Sequence, residues 1–441
     1  MTLAKANDNK ARVVVLGAAG QMTSVTVKAL FGSLADHRFT LVDLNREGLA
    51  TMRREAPVEA EIDLAETDIY DAKALRSLIK GARYVIHGAG PFHETAKLVR
   101  SVAIEEGADY FDIDDDNEST LEAIDLGPHA AAAGTALYVG HGASPGFTNV
   151  MAADLMRRLD HVVDVEVAWT VGDEGAMELG RAVAEHTLHI GAGDCVTWSD
   201  GQRVVRRSFE RAEKFPMGAP LGPYNLYECA HPETITLPHS FPMLRSAQCW
   251  GGMHPQAING IVKGVAVAEA KGRLSRDEAC SFIQDVMRGD TGSAKGWRYA
   301  FAGMLAQVRR GENTLGAMTS ALADAARGIH RPTQAGMAAR VRGWRSGEAV
   351  ELTRVTNAPK VGTFSESMAS MTGLSAAAFF LLLASGPRRA GFQPPERWAD
   401  PEAFYAMVRS IAPEPDYPVL LAPTERRIDP EILSGWRASA T

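Results

Sequence analysis

Two glycines three residues apart, Gly17 and Gly20, stand where the β-branched run Arg12 to Leu16 ends and a helically spaced set, Met22, Val25, Ala29 and Leu30, begins. A strand–turn–helix of this kind binds a dinucleotide diphosphate, because a Cβ in the turn would hold the phosphate away from the backbone N–H groups at the helix N-terminus. The strict glycine fingerprint is not met: Ala19 and Met22 occupy the places of its second and third glycines, which makes the turn a G-x-x-G variant. Asp43 ends the next apolar strand, Phe39 to Val42. Its carboxylate would accept hydrogen bonds from the adenosine ribose and repel a 2′-phosphate, so NAD is expected, with NADP kept open by Arg46 three residues on. The expected cofactor contacts are therefore Gly17, Ala18, Ala19, Gly20, Gln21 and Met22 in the first turn and Asp43 and Leu44 at the ribose. A second glycine loop, Gly88-Ala89-Gly90-Pro91, lies at the carboxyl end of a later strand, where open α/β sheets bind ligands.

Residues suited to substrate chemistry lie further along. Asp112, Asp114, Asp115 and Asp116 follow another strand end and could hold an ammonium group or cap the next helix. Asp114 is the candidate acid among them. In the second half, His231 of His231-Pro232-Glu233 suits proton transfer, because imidazole titrates near neutrality, and Arg245 suits bidentate carboxylate recognition. His186 and His189 share a helix face without an acidic partner in the same pattern, and Cys195, Cys229, Cys249 and Cys280 form no Cys-x-x-Cys pair. Neither a metal site nor a disulfide framework is expected, and reduced thiols fit a cytoplasmic protein. Gly142-Ala143-Ser144-Pro145-Gly146 has the outline of a nucleophile elbow, but Pro145 stands where the oxyanion N–H is required, which argues against a serine hydrolase.

These residues need a scaffold, and the pattern supplies one. Six apolar strands, near residues 12–16, 39–42, 60–64, 83–87, 110–113 and 136–139, alternate with helical stretches, which implies a doubly wound parallel sheet with right-handed crossovers. Beyond Gly146 the rhythm changes to a mixed α+β region. Val162 to Val171 alternates as a half-exposed strand, Asp200-Gly201 marks a hairpin within Cys195 to Phe209, and short strands are expected at Glu233 to Leu237 and Val350 to Val355. Helices are expected at Ile258 to Ala270, Arg276 to Arg288, Met318 to Ala326, Gly362 to Gly386 and Pro401 to Ile411. A length of 441 residues with 46% hydrophobic content suits two or three domains. A net charge of −8 without a basic block argues against nucleic-acid partners. The polar start, Met1 to Arg12, reads as a disordered lead-in, and the apolar run Leu374 to Ala384 is half of what a bilayer helix needs and reads as a buried helix.

The separated stretches Val13 to Met22, Gly88 to Phe92, Gly107 to Asp112, Ser144 to Asn149, Ala230 to Pro238 and Gly391 to Glu396 together resemble the saccharopine dehydrogenase-like family, which includes saccharopine reductases, lysine 6-dehydrogenases and carboxyspermidine-type dehydrogenases. Residues 290–347 do not share the likeness, and the acidic run Asp114-Asp115-Asp116 departs from the family pattern. The resemblance implies an NAD(P)-binding Rossmann domain over 1–148, an α+β substrate-binding and dimerisation domain over 149–360, and C-terminal helices over 361–441 that return to the first domain. It also implies a homodimer that oxidises an amine carbon or reduces an imine on a small amino-acid-like substrate, with Gly88 to Phe92 on the nicotinamide side and Pro145 to Asn149 as hinge and pocket floor. A lysine 6-dehydrogenase-type deamination and a nucleotide sensor without turnover remain as alternatives.

Overall fold

Parallel strands covered on both faces read as unbroken apolar runs, and Val13, Val14, Val15 and Leu16 are each fully buried. The computed structural model describes residues 10–34, 36–172, 179–329 and 334–433. The proposed lead-in therefore lies largely outside the described residues. The chain divides into two compact units, one comprising the residues up to 146 together with 372–411, the other 147–371 with those after 411.

In the first unit β1 (Ala11–Leu16), α1 (Gln21–Phe31), β2 (His37–Asp43), α2 (Arg46–Glu55), β3 (Glu61–Glu66), α3 (Ala72–Ile79), β4 (Tyr84–His87), α4 (Phe92–Glu105), β5 (Asp109–Asp112), α5 (Asn117–Ala132) and β6 (Ala136–Tyr138) alternate along the chain. The strands pair in parallel in the order β6-β5-β4-β1-β2-β3. The strand order reverses between β1 and β4, the switch point at which a doubly wound sheet opens its ligand crevice.

The rest of the chain continues through α6 (Phe147–Met156), β7 (His161–Val171), α7 (Arg181–Ala192), β8 (Asp194–Ser199), β9 (Gln202–Arg207), β10 (Ala212–Pro216), β11 (Pro223–Glu228), α8 (Glu233–Ser240), β12 (Ser246–Met253), α9 (Ala257–Ala270), α10 (Arg276–Arg288), α11 (Ala294–Arg309), α12 (Leu315–Arg327), β13 (Gly336–Arg345) and β14 (Glu348–Val355). It ends with α13 (Met368–Ser385), β15 (Gly391–Gln393), α14 (Pro395–Trp398), α15 (Pro401–Ile411) and β16 (Thr424–Arg427). The second unit holds a mixed sheet in the order β10-β11-β12-β7-β13-β14-β16, with the β8–β9 hairpin joined to β12. Asp200 and Gly201 turn that hairpin with positive φ, as the Asp-Gly signal requires. Residues 412–433 stay with this unit through β16, which pairs with β14, so the part of the C-terminal segment that returns to the first unit is 372–411.

That return completes the first sheet. β15 pairs in parallel with β6 as a seventh strand, one more than the sequence pattern shows. Gly373 of α13 lies against α1, where a Cβ would come 2.8 Å from Met22 O. Phe380 meets Tyr84 and Phe111 edge-on at 5.2 and 5.6 Å, so α13 covers the sheet over β4 and β5. By length and composition α13 would cross a membrane, and 67% of its apolar window is buried inside the protein.

One expected strand is a helix. Glu233 to Leu237 has β-branched residues, yet the Pro232 carbonyl accepts N–H groups from Ile235 and Thr236, both at 2.8 Å, and closes a helical turn. Thr234, Ile235, Thr236 and Leu237 are all buried, so packing overrides the strand propensity here. The unmatched stretch 290–347 holds α11, α12 and β13. α11 packs on α9 through glycines: a Cβ on Gly303 would come 2.8 Å from Gly264 N and 2.9 Å from Gly264 Cα.

Gly303→Ala should therefore force α9 and α11 apart and cost about 1–3 kcal/mol, read as a fall of several degrees in the thermal midpoint. Gly316→Ala in α12, where nothing lies within 4 Å, is the control and should leave the midpoint unchanged or raised. Equal falls in the two variants would contradict this packing.

Candidate active site

At the switch point the first unit brings main chain against main chain. Gly17 has φ +72°, and a Cβ there would come 2.7 Å from Ala89 N and 2.8 Å from Gly88 C and O. A Cβ on Gly88 would overlap the Thr23 hydroxyl of α1. The two glycine loops of the sequence are thus one structure, joined across β1 and β4. Gly17 and Ala18 N–H groups donate to Val42 O at 2.9 and 3.1 Å, which ties the turn to the end of β2. Gly20 caps α1 without a side chain, so the first-turn amides of Gln21, Met22 and Thr23 have no intrahelical acceptor and offer themselves to an anion. A backbone-lined turn, a bare helix N-terminus and an acid at the end of β2 fit an NAD(P) diphosphate and ribose.

Asp43 does more than the sequence implies. Its Oδ2 accepts the Ala19 N–H and its Oδ1 the Asn45 N–H, both at 2.9 Å, so the carboxylate fixes both turns while presenting its charge at the strand end. Asn45 in turn caps α2 through Gly48 N at 2.9 Å. Leu44 is 65% exposed beside it, and Arg46 is exposed.

The loop from Gly88 to Pro91 is held from below. His87 Nε2 donates to Ala89 O at 3.1 Å, because a carbonyl can only accept, and Nδ1 then accepts the Tyr110 hydroxyl at 2.8 Å. This is a neutral imidazole, and burial lowers its pKa to about 4. Thr95 Oγ1 donates to Ala89 O and Pro91 O at 2.9 and 3.0 Å.

The acidic run after β5 is built around a buried arginine. Arg100 of α4 is fully buried and donates from Nη2 to Asp112 at 2.8 Å and Asp114 at 2.6 Å, and from Nη1 to Ser119 O at 2.7 Å. Asp112 Oδ1 also accepts Gly140 N and Asp114 N, and Asp114 Oδ1 accepts Asp116 N. The expectation that Asp114 receives a substrate ammonium is therefore corrected: both its oxygens are occupied, and it shapes the loop. Burial, and beyond it Asp112 and Asp116, push its carboxyl up against the pull of Arg100.

What the acidic run presents instead is Asp116. Its Oδ2 accepts the His93 N–H at 3.0 Å and lies 3.2 Å from His93 Nδ1. Asp116 is 6% exposed and His93 45% exposed, so a half-exposed imidazole is anchored by a buried carboxylate just after the second glycine loop. The sequence analysis missed His93. Its signal was position: it follows Gly-Pro-Phe at the carboxyl edge of the sheet.

The second unit separates the other two candidates. Arg245 forms a bidentate pair with Asp164 through Nε at 2.9 Å and through Nη2, which also donates to Ile432 O at 3.0 Å. Its role as a carboxylate clamp is corrected, since a strand-end ion pair has taken its fork. It is also remote from His231: Ser246 pairs with Asp164 but Gly251 with Trp169, whose ring lies 5.4 Å from that of His231. Five residues of strand are about 16 Å. His231 is buried, with Nδ1 2.9 Å from Glu233 Oε2, and Glu233 Oε1 accepts the Thr148 hydroxyl at 2.7 Å.

Comparison with known proteins agrees with this reading of the first unit. Residues 13–137 match the model of the saccharopine dehydrogenase NADP binding domain. The fold resembles that of apo histidine-tagged saccharopine dehydrogenase (L-Glu forming) from Saccharomyces cerevisiae, with a TM-score of 0.59 and 13% identity over 94% of this chain and 100% of that one. It also resembles the homospermidine synthase from Legionella pneumophila, determined in complex with NAD, with a TM-score of 0.57 and 10% identity over 96% and 93% of the two chains. A sequence search of curated proteins finds no match. The match over residues 13–137 marks a saccharopine dehydrogenase-type NADP-binding domain, and the likenesses to solved structures show the shared fold, a Rossmann sheet with a mixed second sheet.

Removing the buried cation tests the account of the acidic run. Arg100→Met should cost about 3–5 kcal/mol at neutral pH, because two buried carboxylates lose their counter-charge. The Asp114 carboxyl, already pushed up by burial, then rises further, so the folded state binds more protons than the unfolded one and the deficit shrinks as pH falls. A deficit below about 1 kcal/mol, or one that grows on acidification, would refute the triad's role.

Proposed function

We propose that the protein is an NAD-preferring dehydrogenase acting on a CH–NH bond of an amino-acid-derived substrate. The observation that carries the reading is the backbone-lined contact of Gly17 with Gly88 and Ala89 under the bare N-terminus of α1. Such a surface suits a diphosphate and little else, and it lies in the segment that matches the dinucleotide-binding family. NAD is favoured because Asp43 ends β2 with a negative charge that disfavours a 2′-phosphate.

A bound NAD(P) would supply a hydride acceptor for the carbon that bears nitrogen, or a hydride donor in the reverse direction. The Gln21, Met22 and Thr23 amides at the start of α1 would hold the diphosphate over the glycine turn, Asp43 the ribose, and Gly88 to Pro91 the nicotinamide side. The substrate nitrogen must be neutral before its carbon gives up a hydride, so a base has to take its proton. His93 is the proposed base. With Nδ1–H donated to Asp116, the imidazole is held as the tautomer whose Nε2 accepts. The buried carboxylate also stabilises the imidazolium that results.

Calorimetry should show NADH binding more tightly than NADPH, and Asp43→Asn should narrow that preference by about tenfold or more, which corresponds to about 1.4 kcal/mol. Tighter NADPH binding by the unaltered chain would reverse the assignment of Asp43.

Turnover is checked by following nicotinamide absorbance with amino acids, saccharopine-like opines and polyamines. His93→Asn should lower kcat by about 10²–10⁴, with the cofactor Kd unchanged. Ammonia as product would indicate lysine 6-dehydrogenase-type chemistry, and an amino acid the saccharopine type. Tight cofactor binding without turnover on any of them would favour a sensor.

A further inference from the structure

The second unit gathers nitrogen, oxygen and sulfur donors around one point. His231 and Glu233 lie in the turn that opens α8, and Cys249 lies in β12. One donor atom of each lies within 4.8 Å of the others, and all three residues are buried. A second thiol, Cys229 Sγ, is 3.9 Å from Cys249 Sγ, and the His186 ring of α7 is 6.3 Å from that of His231. Three separate elements thus converge, a geometry that adjacency in sequence does not explain.

An independent observation concerns Trp169 of β7. Its indole Nε1 is buried and, among the described residues, meets no acceptor other than the Cys249 thiol. A neutral thiol is a weak acceptor, so the arrangement leaves the indole N–H unsatisfied. A thiolate would satisfy it by a charge-assisted bond.

We propose that His231, Glu233 and Cys249 bind one divalent transition-metal ion of the zinc type, with His186 the nearest further imidazole. Hard cations such as calcium and magnesium take oxygen donors almost exclusively, whereas imidazole with thiolate selects zinc and cobalt. On binding, the Cys249 S–H bond breaks, its proton passes to solvent, and the sulfur lone pair is given to the metal, with no change of oxidation state. Thr148 keeps its hydrogen bond to Glu233 Oε1 and so fixes the carboxylate, while the metal would replace the contact between His231 Nδ1 and Glu233 Oε2 and take Oε2 as a ligand. The inference is independent of the dehydrogenase reading.

The full chain, stripped with chelator and titrated with Co²⁺, should take up about one equivalent and develop a thiolate-to-cobalt charge-transfer band that Zn²⁺ abolishes. Cys249→Ser should remove that band, His231→Ala should weaken Co²⁺ binding by about tenfold or more, and Cys280→Ser should leave both unchanged. Circular dichroism reports whether each variant folds, and zinc content per chain after growth in zinc-supplemented medium provides a measurement that needs no variant. Absence of the charge-transfer band together with a zinc content far below one per chain, or a band that persists in folded Cys249→Ser, would overturn the proposal.

Discussion

The first unit depends on one close approach: the main chain of Gly17 lies on the main chain of Gly88 and Ala89, with no side chain between them. Any Cβ at either glycine would separate β1 from β4 at the level where the sheet reverses its order. Because the contact is backbone to backbone, no side chain covers the turn, and the helix that follows begins without a side-chain cap, with the Gln21, Met22 and Thr23 amides lacking an intrahelical acceptor. Anion affinity is here a by-product of packing: the same missing side chains that let the strands close together leave donors facing outward.

From that point a chain of carboxylates reaches the edge of the sheet. Asp112 holds Gly140 and Asp114, Asp114 holds Asp116, and Asp116 holds His93 by both backbone and ring. Arg100 supplies the charge that lets Asp112 and Asp114 be buried together. A run of four acids within five residues is thus partitioned by burial: the inner members organise the loop, and Asp116 at its end meets a half-exposed imidazole. In the second unit a similar sorting applies to Arg245, which a neighbouring acid claims before any ligand could.

The sheet was legible because its signals are local. Each buried strand declares itself as an apolar run, and Gly17, Gly20 and Asp43 sit at spacings fixed by the strand–turn–helix geometry. The departures all involve partners distant in sequence. Arg100 was invisible as the partner of Asp114 because α4 meets the β5 loop only in three dimensions, and the pairing of Arg245 with Asp164 depends on β7 and β12 lying side by side. Likewise Glu233 to Leu237 has the composition of a strand, and only its burial and the Pro232 carbonyl decide for helix. His93 carried no motif of its own, since what singles it out is an aspartate on another loop.

β15, three residues laid against β6, has a consequence for how the chain comes to be folded. The edge of the nucleotide-binding sheet is made only after residues 147–371 of the second unit have been synthesised, and α13, which roofs β4 and β5, is similarly late. Throughout synthesis the nascent first unit therefore carries an open β6 margin and an uncovered patch around Tyr84 and Phe111, two sticky surfaces that a trigger-factor-type chaperone is built to shield.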